Sequence, residues 1–408
     1  MELIYNNSTK NNYDCSTVIG HEKQLNFLKS LYVSGRIPPG LLFHGQKNIG
    51  KKFAAIAFAA SVLCEDYALN FASVGREGKE DAGSDNSLRF CGKCPSCSAV
   101  LNGISQHFLI IESSAGSIKI DDIHKAAKFL SLAPAYPGYR FVIIGEASHM
   151  NASSANALLK ILEEPPEKTV FILITSSAGM LLPTVISRCQ LTGFHPVPEE
   201  TLFNYFKAEF PDIENVKLKV YSKLARGSFS VFRALIEGNF FERRHFLINS
   251  LFKPLFEGTK NFYDISSQFG IIEKAAKDAL KKKVKEKEAS KDGDIDMSSV
   301  FESILLIFRD IYIYFVSKNE KLLYNEDIAE EIKELALSLN RDFKGSADKR
   351  LNWDGNATER MERMERIIEN MMDYTAEYIE KINGYNPNKS IALDSYFSKL
   401  FDEMNNKR

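Results

Sequence analysis

GLLFHGQKNIGKKFAAIAFAASVL, residues Gly40–Leu63, decides how the first half of this chain folds. Gly40–His44 is a short apolar run of strand length, and Lys52–Leu63 is an alanine-rich helix former. The residues that join them, Gly45–Lys52, have the spacing of a phosphate-binding loop, G-x-x-x-x-G-K-[ST]. In such a loop the glycines let backbone N–H groups turn inward, the lysine meets the outer phosphates, and the last hydroxyl holds Mg²⁺. Gly45, Gly50 and Lys51 fill their positions, but Lys52 stands where the hydroxyl belongs. An ammonium offers three donors and no acceptor, so it cannot ligate a metal cation.

Strand and helix signals alternate outward from this loop. Phe108–Glu112 (FLIIE), Phe141–Ile144 (FVII) and Val170–Thr175 (VFILIT) are further apolar runs of strand length, with helical segments such as Asp121–Leu132 and Ser153–Glu164 between them. Continuous rather than alternating hydrophobicity predicts parallel strands covered on both faces, hence an α/β fold with a parallel sheet. After about Pro198 the strand signals fade. Residues 199–240 read as three short helices, with Gly227 and Gly238 as breaks, and everything from about 243 onward reads helical. Ile304, Leu305, Phe308, Ile311, Tyr312 and Phe315 fall on one helical stripe, as do Met361, Met364, Ile368, Met371 and Tyr378. Both stripes read as helix-bundle core. Lys281–Asp296 is the most polar run and reads as a solvated helix end and loop, because its acids largely cancel its lysines.

With 408 residues the chain has room for two or three domains. Its 52 basic and 53 acidic residues balance, so total charge demands neither nucleic acid nor a membrane. No basic segment followed by an apolar run opens the chain, so no secretory signal is expected and a cytoplasmic location is. The most apolar stretch, Ile304–Val316, is too short to span a bilayer and is interrupted by Arg309 and Asp310.

Four of the six cysteines are grouped. Cys91, Cys94 and Cys97 have C-x2-C-x2-C spacing, and Cys64 closes the preceding helix. Four thiolates satisfy tetrahedral Zn²⁺, and two-residue gaps let a tight turn present successive sulfurs to one ion. Iron–sulfur ligation uses similar spacing and stays open as the alternative. No acid, base or open coordination position is suggested nearby, so the metal is expected to be structural. Glu65–Phe90, between Cys64 and the triplet, reads as a surface insertion.

Several segments then fall in one order: Gly45–Lys52, the cysteine module, Val142–Met150 (VIIGEASHM), Asn151–Pro166 (NASSANALLKILEEPP) and Leu182–Cys189 (LPTVISRC). That series resembles the delta-prime subunits of the bacterial DNA polymerase III clamp loader, within the AAA+ family. The likeness is detailed over roughly residues 18–195 and architectural beyond, with Asn383–Leu393 resembling the family's closing segment more weakly. It implies an AAA+ P-loop domain over residues 1–195, carrying a zinc module at about 64–100, then a helical lid over 196–242 and a helical collar over 243–408.

The resemblance also implies roles. Clamp loaders are ring assemblies that use ATP to open a sliding clamp and place it on primed DNA, and delta-prime generally does not hydrolyse ATP itself. Where an active motor delivers an Asp and then a Glu after Phe141–Ile144, this chain has Gly145 and Glu146. Asn48 replaces a usual glycine, and Gly227-Ser228 lacks an arginine at the expected offset, Arg233 coming several residues late. ATP binding and turnover at this chain's own loop are therefore not expected. The Ser187-Arg188-Cys189 tripeptide is whole, and in the family its arginine projects into a neighbour's ATP site. A guanidinium suits that task because it stays charged and presents a fork of donors to a γ-phosphate. Asn151–Glu164 corresponds to a DNA-facing helix, which makes Ser153, Ser154 and Lys160 candidate phosphate contacts. Implied partners are the gamma/tau motor and delta subunits, the sliding clamp and primer-template DNA, with no membrane. The alternatives are a working ATPase of gamma/tau type and a zinc-bearing DNA-binding protein acting alone.

Overall fold

The computed structural model describes residues 20–66, 88, 90–113, 116–132, 137–238, 240–257, 297–345, 357–385, 395–400 and 402–403. The polar run Lys281–Asp296, most of the Glu65–Phe90 insertion and the Asn386–Leu393 part of the closing segment lie outside them. The chain divides into two compact units, one of residues 1–213 and 225–233, the other of 214–224 and 234–408. The segment 196–242 is thus shared between the two units. Among the described residues no helix is long and apolar enough to cross a membrane.

The first unit is built on a five-stranded sheet in the order β2-β3-β4-β1-β5. Its strands are β1 (Gly40–His44), β2 (Phe108–Ile111), β3 (Arg140–Ile144), β4 (Thr169–Thr175) and β5 (Gln190–Gly193). Every pairing is parallel, with Gly40 opposite Phe171 and Leu41 opposite Gln190 on the two sides of β1. β3 and β4 are buried at every position, as continuous apolar runs predict when helices cover both faces. One face carries Leu41, Phe43, Phe141, Ile143 and Ile172 and packs on α1 (Glu22–Val33) and α2 (Lys51–Leu63). The other carries Leu42, Val142, Ile144, Phe171 and Leu173 against two helices between strands, Ile120–Ser131 (α4) and Ala152–Glu163 (α5). A short helix, α3 (Pro95–Leu101), belongs to the cysteine module.

β5 has no counterpart among the predicted strands. It is four residues of QLTG with Gln190 and Leu191 exposed, an edge strand held by pairing to β1 rather than by an apolar run. Helix α6 (Pro183–Ile186) precedes it, and α7 (Glu199–Glu209) follows it. Later come α8 (Asn215–Leu224), assigned to the second unit, and α9 (Phe229–Glu237), assigned to the first. These are the three short helices expected of 199–240.

Every regular element among the described residues of the second unit is a helix. Its core is the stripe of Met297–Ser317, where Phe301, Ile304, Phe308, Ile311 and Phe315 are fully buried. Met364, Ile368 and Met371 of Ala357–Tyr385 join it, whereas Met361, expected on the same stripe, is exposed. Asp310 is buried there, accepting from the Tyr324 amide (3.1 Å), the Asn325 amide (2.8 Å) and Asn325 Nδ2 (2.7 Å), so its carboxylate is committed to the fold.

In the first unit Gly227 lets the start of α9 press on the Pro196-Val197 backbone. Its φ is +82°, and an added Cβ would lie 2.4 Å from Pro196 Cβ and 2.5 Å from the Val197 nitrogen. Gly227→Ala is therefore expected to lower stability by about 2–4 kcal/mol, since both the conformation and the space are wrong. A urea midpoint indistinguishable from that of the parent protein would overturn this reading of the contact.

Candidate functional site

The phosphate loop leaves the C-terminal end of β1, beside the ends of β3 and β4, where open α/β sheets bind ligands. Gly45 (φ +145°) and Gly50 (φ +99°) take backbone conformations that a Cβ resists, and a Cβ at Gly45 would sit 2.2 Å from the Phe194 carbonyl. Asn48 stands at φ +62°, a region Asn tolerates, so the loop closes without the usual glycine. Its shape is held from outside. His21, lowered by burial and so neutral, donates Nε2–H to the Ile49 carbonyl (2.5 Å), and Ser228 Oγ donates to the Asn48 carbonyl (2.5 Å).

Lys51 is buried and turns its ammonium onto the loop itself, donating to the carbonyls of Gly45 (2.5 Å) and Gln46 (2.6 Å). Lys52, in the hydroxyl position, forms an ion pair with Glu112, which follows β2. A Cβ built on Gly145 would lie 3.9 Å from Glu112 Cγ. The ammonium of Lys52 and the carboxylate of Glu112 therefore meet on the metal side of the loop, where an active site of this type uses a hydroxyl and an aspartate.

Glu146 is held more closely than its sequence suggests. At φ +50° it turns its carboxylate to the end of β4, where Oε1 accepts from the Ser176 amide (2.8 Å), Ser176 Oγ (2.9 Å) and Ser148 Oγ (2.8 Å). Burial works to raise this carboxyl, but the bonds from Ser176 and Ser148 and the charge of Lys47 outweigh it, and the net shift is downward. Ser176 went unread in the sequence, because only sheet register brings the ends of β3 and β4 together. Arg233, which comes late for the offset expected after Gly227-Ser228, pairs with Glu209 at 2.6 Å inside the first unit.

Arg188 lies at the other end of β1. Its carbonyl oxygen and Cys189 Sγ each approach to 2.9 Å of where a Gly40 Cβ would stand, so only glycine admits them. Gly40–His44 spans about 13 Å at the rise of a parallel strand. Arg188 therefore starts a full strand length from this chain's own phosphate loop. Its guanidinium is partly exposed, with Nη1 donating to the Thr184 carbonyl (3.0 Å) and Nη2 pairing with Glu163 Oε1 (2.6 Å). The neighbours in the tripeptide have local tasks. Ser187 Oγ donates to the Thr184 carbonyl (3.0 Å), while Cys189 is buried, its thiol pushed up to about 11 by burial.

Ser154 is corrected from its reading as a candidate phosphate contact. It is fully buried, its amide donates to the side chain of the N-cap residue Asn151 (2.8 Å) and its hydroxyl to the Asn151 carbonyl (2.9 Å), so it is committed to the first turn of α5. Ser153 and Lys160 are exposed on that helix, Ser153 Oγ donating to Asn151 Oδ1 (2.7 Å).

Cys64, Cys91, Cys94 and Cys97 converge, with all four sulfurs within 4.8 Å of one another. A tetrahedral Zn²⁺ site with Zn–S of about 2.3 Å has sulfur–sulfur edges of about 3.8 Å, so the cluster is of the right size. Backbone amides aim at the sulfurs, Cys91 at Cys64 (3.4 Å), Cys94 at Cys91 (3.2 Å) and Cys97 at Cys94 (3.4 Å), which favours the charged thiolate. A hydrogen bond with Cys64 and then burial push the Cys97 thiol far up, so a group of thiolates here requires a cation's charge. The residues fit a metal such as zinc, and four sulfurs leave no open position for chemistry.

A parallel sheet with a phosphate loop at the end of β1, a cysteine module and a helical second unit together define an AAA+-like protein. Residues 20–198 match the family model described as DNA polymerase III, delta subunit. The delta-prime subunit of Bacillus subtilis is 27% identical over 321 residues, covering 78% of this chain and 85% of that protein. Over residues 20–198 the chain is therefore similar to the DNA polymerase III delta-prime subunit family, among the clamp-loader AAA+ relatives. The tau subunit of Bacillus subtilis is 25% identical over 359 residues, covering 82% of this chain and 58% of that longer protein. The delta-prime subunit of Pseudomonas aeruginosa is 32% identical over 150 residues, covering 36% of this chain and 40% of that one. Among solved structures, a gamma-subunit-related protein of Thermotoga maritima aligns over 92% of this chain and 99% of its own at 16% identity, with a TM-score of 0.40.

Two measurements check the site. Metal analysis of the purified protein is expected to find one zinc and no brown iron–sulfur colour, with Cys97→Ser losing the metal and melting at least a few degrees lower. Iron in place of zinc would overturn the first expectation. For Glu146, a lowered folded-state pKa means stability that is present above the unfolded value of about 4.3 and is lost as pH falls through the folded value. In urea titrations the gap between the protein and its Glu146→Gln variant is expected to narrow as pH drops below about 4.3. A gap independent of pH would refute the assignment.

Proposed function

We propose that this chain is a clamp-loader subunit of DNA polymerase III that does not hydrolyse ATP at its own loop and supplies Arg188 to the nucleotide of a neighbouring subunit. The observation that carries this reading is the placement of the two functional ends on β1. The loop, whose metal side holds Lys52 paired to Glu112 beside Gly145, is at one end, and Arg188 is a strand length away at the other. An arginine so placed serves no phosphate in its own loop, so a phosphate it meets belongs to another molecule. A permanently charged fork of donors at a neighbour's γ-phosphate stabilises charge developing in the transition state, an effect worth about 10³–10⁵ in rate when such a finger is supplied in trans.

Delta-prime and tau relatives both align along most of this chain, so the choice between a helper and a motor rests on the loop itself. A metal site needs oxygen ligands, and position 52 offers an ammonium and position 145 no side chain. Lys51 remains available to an anion, yet bridging the β- and γ-phosphates and neutralising the charge that develops on them require the cation. In this proposal residues 1–195 form the AAA+-like domain, 196–242 a lid and 243–408 a collar that packs with the other subunits. The partners are gamma/tau and delta subunits, the sliding clamp and primer-template DNA, with Ser153 and Lys160 on the exposed side of α5 offered to the DNA backbone. The cysteine module holds a structural zinc.

The test is reconstitution of the complete loader with Arg188→Ala. Assembly is expected to be normal and DNA-stimulated ATPase to fall, while the isolated parent chain turns over no Mg·ATP. Unchanged ATPase in a correctly assembled complex would sink the proposal, and turnover by the isolated chain would favour a gamma/tau-type motor.

A further inference from the structure

We infer that Glu163 is a positioning residue for Arg188, holding its guanidinium by one edge so that the remaining donors face outward; this inference rests on the finger reading of Arg188. Glu163 is the last residue of α5, a place where the helix dipole disfavours an acid. Its helix is nonetheless fixed there. Leu162, the residue before it, is buried, and its Cδ2 lies 3.4 Å from the Cβ position of Gly40. The Arg188 carbonyl and Cys189 Sγ crowd the same point at 2.9 Å. Gly40 is thus a three-way junction that sets the end of α5 and the backbone of Arg188 against one another before either side chain is considered.

The side chains then close the arrangement. Arg188 Nη2 meets Glu163 Oε1 at 2.6 Å, and Nη1 meets the Thr184 carbonyl at 3.0 Å. Guanidinium carries five N–H donors. Nη1 gives one hydrogen to the Thr184 carbonyl and Nη2 is ion-paired with Glu163, and among the described residues the guanidinium has no further polar partner, so N–H donors remain for an anion. A loose arginine samples many rotamers and must be ordered when it meets phosphate; one tied at two points has that ordering already done. Both partners are partly exposed, with side-chain exposures of 36% and 49%, so the pair itself contributes little to stability. Its use lies in direction.

The experiment measures ATPase of the reconstituted loader with Arg188→Ala, Glu163→Ala, Glu163→Gln and the Arg188→Ala/Glu163→Ala double variant. Glu163→Ala is expected to lower kcat by about tenfold with KM for ATP unchanged. Glu163→Gln, which keeps an acceptor oxygen and the side-chain shape, is expected to fall between parent and alanine. The double variant should equal Arg188→Ala alone, because Glu163 acts only through Arg188. Co-elution of the subunits and melting of the isolated variants verify folding and assembly, and if the alanine variant fails either, the glutamine variant carries the comparison. Parent-like kcat in the Glu163 variants, or a further loss when Glu163→Ala is added to Arg188→Ala, overturns the inference while leaving the finger reading intact. A parent-like Arg188→Ala complex overturns both.

Discussion

The close approach at Gly40 is the constraint on which the functional half of the molecule depends. A glycine at the first position of β1 admits the Arg188 carbonyl and Cys189 Sγ to distances that any side chain would forbid, with Leu162 Cδ2 in contact at the same point. That contact seats β5 alongside β1, sets the end of α5, and places Arg188 at the opposite end of the strand from the phosphate loop. The loop depends on the same strand through its other end, where the Gly45 amide donates to the Thr175 carbonyl at 3.3 Å. One five-residue strand therefore separates the loop Gly45–Lys52 from Arg188. The separation keeps Arg188 away from this chain's own loop, which is what the proposed role toward a neighbouring subunit requires.

Charge at the loop is consistent with that division. In a hydrolysing site a divalent cation would link the hydroxyl after the loop lysine to the carboxylate after β3. Here Lys52 brings its own positive charge and Glu112 its own negative one, and they neutralise each other. Glu146 has its carboxylate favoured by donors from Ser176 and Ser148. The groups that remain stabilise the shape of the loop, as do His21 and Ser228 from outside it. The cysteine module likewise serves shape: Cys64, Cys94 and Cys97 belong to the same buried cluster as α2 and one face of the sheet.

Much of this was legible in the order of residues. Four strands and the helices between them were visible because parallel strands covered on both faces must be apolar along their length. The elements fall within a residue or so of the predicted boundaries, β3 beginning at Arg140 rather than Phe141 and α2 at Lys51 rather than Lys52. β5 was not legible, since an edge strand with two exposed residues needs no apolar run and is defined only by its partner. Ser154 looked like a surface serine and proved to be a buried residue bonded to the N-cap Asn151, because one residue's rotation on a helix exchanges solvent for core. Glu163 lay within a quoted motif without a role, because nothing local in the run LLKILEEPP says which side chain meets an arginine 25 positions later.

The sequence by itself determined the chemistry available: a phosphate loop with an ammonium in place of its metal ligand, a whole Ser-Arg-Cys tripeptide, and thiols spaced to share one ion. Those are statements about side-chain type and short spacing, which local covalent geometry settles. Tertiary structure decided direction and distance. Parallel register brought Glu146 to Ser176, the metal side of the loop became an ion pair between residues 52 and 112, and packing on Gly40 set Arg188 a strand length from the loop with Glu163 at its edge. Such relations join residues far apart in the chain, and only the folding of the sheet brings them within reach.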